Sequence, residues 1–94
     1  MLPSALVLLW AQIESWLRIK ADKNGEKLNL LQPKRLINFL YSYGELSMEQ
    51  VDSLNELMQL RNKLVHGFDD TVSKKQLEIG LQILQELMKN KDEG

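Results

Sequence analysis

The chain has 94 residues, no cysteine, one histidine, 12 Lys+Arg against 13 Asp+Glu, and a net charge of −1. This length fits one domain; the lack of cysteine excludes a disulfide framework, a thiolate zinc site and a thiol nucleophile, and the single histidine excludes a multi-histidine metal centre. The near-neutral charge argues against a strongly basic coat for nucleic acid, and 44% hydrophobic with 27% charged residues is the composition of an ordinary globule rather than a disordered tail.

The opening Met1-Leu2-Pro3-Ser4-Ala5-Leu6-Val7-Leu8-Leu9-Trp10 is apolar but has no basic n-region, and Gln12 and Glu14 interrupt it long before it could span a bilayer. A cytoplasmic protein without membrane attachment is expected. The abrupt apolar start fits a complete chain or one cut from a longer protein. Leu6, Leu9, Trp10, Ile13 and Leu17 recur on one helical face. They predict a first helix over about 4–20. Val7, Leu8 and Trp16 widen its apolar surface, so its first two turns are expected to be buried on more than one side.

Asp22 to Gln32, with Asn24-Gly25 inside, reads as a loop. Pro33 suits a first helical turn, Leu36, Ile37, Leu40 and Tyr41 form the stripe, and Gly44 suits the C′ position. These features predict helix two over about 33–43. Ser47-Met48-Glu49-Gln50 has the form of a capping box and opens helix three, about 47–66, which Gly67 ends. Residues 67–72 are a short connection. Ser73-Lys74-Lys75-Gln76 repeats the box and opens helix four, about 73–89, with Leu77, Leu81, Leu84, Leu87 and Met88 as expected core positions. No alternating β-branched run occurs, so the fold class is all-α: an antiparallel four-helix bundle in one domain, 1–94.

Helix three carries an anomaly. Val51, Leu54, Leu57, Met58, Leu60, Leu64 and Val65 fill an arc about 180° wide at 3.6 residues per turn. Arg61 lies near the middle of that arc and is the only charged residue in it. An unpaired buried guanidinium is unfavourable, so fold logic alone would place a leucine there. A structural ion pair with Glu14 across the bundle is one way to accommodate it. Asn55, Gln59, Asn62 and His66 form a neutral polar stripe on the flank. Arg61, Asn62 and His66 thus supply a permanent cation, an amide and a group able to act as general acid or base. Five residues put Arg61 and His66 about 140° apart. Either the arginine curls round the helix end or a two-fold dimer brings a second copy into one cleft.

Leu60-Arg61-Asn62-Lys63-Leu64-Val65-His66-Gly67 resembles the signature of HEPN domains, small all-α bundles with an R-x4-6-H motif and often a polar residue directly after the arginine. The resemblance covers helix number and order, and places the motif at the end of the third of four helices. It implies a HEPN-like bundle that dimerises with the motif near the interface. It further implies metal-independent endoribonuclease chemistry without a cofactor, of the kind found in prokaryotic toxin–antitoxin, anti-phage and CRISPR-related systems. His66 would move protons, Arg61 would stabilise the phosphorane and Asn62 would orient or bind phosphate. Other HEPN domains cut nothing and bind nucleotide, RNA or a partner beside a nucleotidyltransferase or nuclease domain. That reading stays open, as do an antitoxin partner and a place as the C-terminal domain of a larger protein.

Between residues 18 and 35 six cations (Arg18, Lys20, Lys23, Lys27, Lys34, Arg35) face two carboxylates, Asp22 and Glu26. Lys23 and Lys27, with Lys63 inside the motif, are the expected phosphate-contacting cations, and the segment is expected either to guide RNA towards the cleft or to be a solvated loop. Glu45, Glu49, Asp52 and Glu56 read as a solvent face, scattered too widely for a two-metal site. Trp10 and Trp16 are expected in core or dimer packing rather than under nucleic-acid bases.

Overall fold

The computed structural model describes residues 2–23, 32–67 and 72–89. Four helices account for nearly all of them: α1 (Leu2–Lys23), α2 (Pro33–Ser42), α3 (Met48–Val65) and α4 (Lys74–Lys89). No strand occurs among the described residues, so every helix must bury its apolar stripe against another helix. α1 packs on all three others and most extensively on α4. α3 and α4 run antiparallel. Gln50, at the start of α3, donates to Glu86 near the end of α4 at 2.7 Å, while Leu57 further along α3 lies beside Gly80 earlier in α4.

The stripe expected on α1 is the centre of the core. Leu6, Leu9, Trp10, Ile13 and Leu17 are all buried. Fully burying such a side chain contributes about 1.5–3 kcal/mol, before the entropy of ordering it. α1 also runs on to Lys23, past the expected end near residue 20. The extra turn exists because Ala21 is fully buried and no helix breaker occurs before Asn24. Asp22 and Lys23 therefore belong to the helix rather than to the loop. Leu8 corrects a second expectation: it is 70% exposed, so the start of α1 is not buried all round within this chain.

Both capping boxes form. The Gln50 N–H donates to Ser47 Oγ at 3.1 Å and the Ser47 N–H to Gln50 Oε1 at 2.9 Å. Ser73 and Gln76 repeat the same reciprocal pair. Each satisfies two donors that a helix start would otherwise leave open. Gly44 and Gly67 follow the ends of α2 and α3 with φ of 76° and 84°, the left-handed conformation in which a side chain is strained.

Two stripes are rotated from expectation. On α2, Leu36, Ile37 and Leu40 are fully buried, but Tyr41 is 43% exposed. On α4 the buried residues are Gly80, Ile83 and Leu87, whereas Leu81 and Met88 are about half exposed. The α4 face centres on Gly80, which carries no hydropathy signal. It is buried because α1 comes close there: a Cβ at Gly80 would lie 2.6 Å from Leu9 Cδ2. Val72, expected in a connection, is buried in the core.

Candidate functional site: the C-terminal turns of the third helix

α3 changes character along its length. Val51, Leu54, Leu57 and Leu60 are buried. Beyond them Arg61 and Leu64 are half-buried, and Asn62, Lys63, Val65 and His66 are exposed. The apolar arc continues in sequence, but its covering does not. This explains how Arg61 is tolerated at a core register: a long side chain can lay its stem along apolar surface and carry its head outward.

Among the described residues the Arg61 guanidinium has one hydrogen bond, from Nη1 to Asn62 Oδ1 at 3.1 Å. Its Nε is buried and has no hydrogen-bond partner. No carboxylate among the described residues pairs with it. The alternative of an Arg61–Glu14 ion pair is therefore not realised. Glu14 is committed elsewhere: Trp10 Nε1 donates to its Oε1 at 3.1 Å, while Arg18 Nε and Nη2 donate to its Oε2 at 3.2 and 2.7 Å.

Arg61 nevertheless shares a groove with these residues. The groove between α1 and α3 encloses about 250 Å³, with Trp10, Ala11, Glu14, Ser15 and Arg18 opposite Arg61. Trp10 is 2% exposed, so its ring is core packing with a hydrogen-bonded edge and presents no stacking face. Trp16 packs half-buried against the core. The network at Trp10, Glu14 and Arg18 was legible as an i, i+4, i+8 spacing on one helical face. Sequence offered Glu14 as a partner for Arg61 across the bundle; it could not show that the carboxylate, though in the same groove, is committed to Trp10 and Arg18.

His66 caps α3. Its backbone N–H donates to the Asn62 carbonyl at 3.0 Å, and its side chain is exposed. The motif thus brings Arg61 and Asn62 into direct contact, while His66 faces solvent beside them with no hydrogen bond or ion pair to either side chain among the described residues. Lys63 is exposed on the same turns, and Lys23 is exposed at the end of α1. Lys27, and the centre of the basic segment with it, lies outside the described residues.

A larger groove of about 410 Å³ lies between α3 and α4. Glu49, Asp52 and Glu86 line it, so its field repels a phosphate backbone, whereas the Arg61 groove carries two guanidinium groups against one carboxylate, Glu14, which pairs with Arg18. Among the described residues no group of three or more acidic or histidine side chains could hold a metal ion, and no helix is long and apolar enough to cross a membrane.

Chemically, the Arg61 groove offers a cation hydrogen-bonded to a neutral amide, which can bind an anion. The exposed imidazole of His66 ends the same helix but is not among the residues that line the groove. Family models, curated proteins and solved structures were all compared with the chain, and none gives a significant match.

Proposed function

We propose that this chain is a HEPN-type, metal-independent endoribonuclease that acts on single-stranded RNA as a dimer, in toxin–antitoxin or anti-phage defence. One observation carries the reading. Arg61 occupies a core register of α3 yet is held by Asn62 and by no carboxylate among the described residues, which leaves its positive charge for an external anion. In the proposed reaction the ribose 2′-oxygen attacks its own phosphodiester. The O2′–P bond forms, the P–O5′ bond breaks, and the products are a 2′,3′-cyclic phosphate and a 5′-hydroxyl. His66 takes the 2′-hydroxyl proton, and water delivers a proton to the leaving O5′. Arg61 stabilises the added charge on the phosphorane, and Asn62 holds the guanidinium in place.

A second copy supplies the geometry that one helix lacks. Leu64 is half-buried and Val65 is 53% exposed beside Arg61, and Leu8 on α1 is 70% exposed. These apolar positions suit a two-fold contact that unites two motifs. Light scattering tests this part, since a strict monomer removes the composite cleft.

Incubation of purified protein with single-stranded RNA in EDTA tests the chemistry. Wild type is expected to leave 2′,3′-cyclic phosphate ends; His66→Ala and Arg61→Leu are expected to retain helical circular dichroism and leave the RNA intact. No cleavage at high enzyme, or equal cleavage by His66→Ala, discards the enzyme. A second reading, a non-catalytic HEPN module that binds RNA or nucleotide, is favoured by the lack of contact between His66 and Arg61. It predicts salt-sensitive binding that Arg61→Leu abolishes and His66→Ala leaves alone.

A further inference from the structure

Glu14 poses a physical question. It is a carboxylate in the same groove as Arg61, and Arg61 has a buried N–H without a partner. Opposite charges in a half-dry groove attract several-fold more strongly than in bulk water. A Glu14–Arg61 pair would satisfy the orphaned N–H and neutralise the guanidinium. The hydrogen bonds around Glu14 explain why it does not form. Trp10 holds one oxygen at 3.1 Å, and Arg18 places two N–H groups on the other, at 3.2 and 2.7 Å. Trp10 is itself locked in the core at 2% exposure, so the carboxylate is anchored from a rigid side.

We infer that Arg18, with Trp10, is a positioning element: it keeps Glu14 turned onto α1 and so keeps Arg61 open to an anionic ligand. The inference rests on the reading that Arg61 takes a phosphate. It adds that this availability is set from α1, one helix turn either side of Glu14, by residues outside the R-x4-H motif. Arg18 acts here through Glu14 and need not touch the ligand. Without Arg18 the Oε2 oxygen loses both its donors, and the carboxylate, still held through Oε1 by Trp10, turns Oε2 to Arg61 and closes the site from within, a self-inhibited state reached without any change in the core.

The test uses Arg18→Leu, Arg18→Lys, Glu14→Gln and the double variant Glu14→Gln/Arg18→Leu in the full chain. The first readout is side-chain nitrogen NMR of Arg61, which follows rotation about its Nε–Cζ bond. Pairing with Glu14 in Arg18→Leu is expected to slow exchange between the two Nη nitrogens, and Glu14→Gln in the same background to restore it. The second readout is affinity for a single-stranded oligonucleotide whose 2′-hydroxyls are methylated, so that it cannot be cut. Arg18→Leu is expected to weaken binding about tenfold, the scale of one close charge pair. The double variant recovers it, Arg18→Lys behaves like wild type, and Glu14→Gln alone binds more tightly.

Unchanged Arg61 dynamics in Arg18→Leu, or a loss of affinity that Glu14→Gln fails to rescue, overturns the inference. So does weaker binding by Glu14→Gln alone, an outcome that remains decisive even where Arg18→Leu does not fold. Slowed Arg61 rotation in a protein that binds no oligonucleotide upholds the positioning role and removes the ribonuclease instead.

Discussion

The two halves of α3 share one apolar periodicity and have opposite fates. From Val51 to Leu60 every third residue is sealed beneath α1, α2 and α4. From Arg61 to His66 no residue is buried. The first half is core, held at its start by a capping box. The second half continues the register into a place that the rest of the chain does not cover. Periodicity specifies which side of a helix faces inward; it does not specify where the neighbouring helices stop. A charged residue on the inward register is costly in the first half and tolerated in the second.

Substitutions along the helix can break or sharpen this contrast. The largest effect belongs to the sealed half: Leu54→Ala, at a fully buried position, should cost about 2–5 kcal/mol in urea unfolding. A loss below 1 kcal/mol would mean that the half is not sealed. Gly67→Ala forces a side chain into φ 84° and should cost about 1–2 kcal/mol, which thermal melting would register as a lower midpoint. Ser47→Ala removes the oxygen that accepts from Gln50, with an expected loss of about 1 kcal/mol. Val65→Ser in the uncovered half should stay within about 0.5 kcal/mol in dilute monomer. A larger loss that grows with protein concentration would identify Val65 as a dimer contact.

Arg61→Leu gives the smallest stability effect and the sharpest test. It removes a buried N–H without a partner and loses no ion pair among the described residues. Its unfolding midpoint should therefore equal or exceed that of wild type, while RNA binding is lost. A clear destabilisation would make Arg61 a structural residue and end its candidacy as an anion site.

Local rules account for what sequence alone made legible. The Ser47 and Ser73 boxes and the Gly44 and Gly67 stops depend on backbone chemistry within four residues, and they lie where their residue types require. The α1 stripe was readable because one helix face at the centre of the core is apolar throughout. Where the packing partner decides, the reading drifted. Tyr41, Leu81 and Met88 continue their stripes but sit at the rim. Gly80 is buried because it is small, and hydropathy does not record smallness.

The candidate site divides in the same way. Sequence by itself determined that Arg61 stands at an inward register, that Asn62 lies beside it, and that the single histidine ends the same helix. Tertiary structure alone decided that the inward register is half-open there and that Trp10 and Arg18 share the groove of Glu14 and Arg61. It also left the carboxylate nearest in chemistry bound to another arginine. Those outcomes depend on how far each helix extends and how closely it approaches its neighbours. Distances between residues remote in the chain set them, and no spacing along the chain encodes those distances directly.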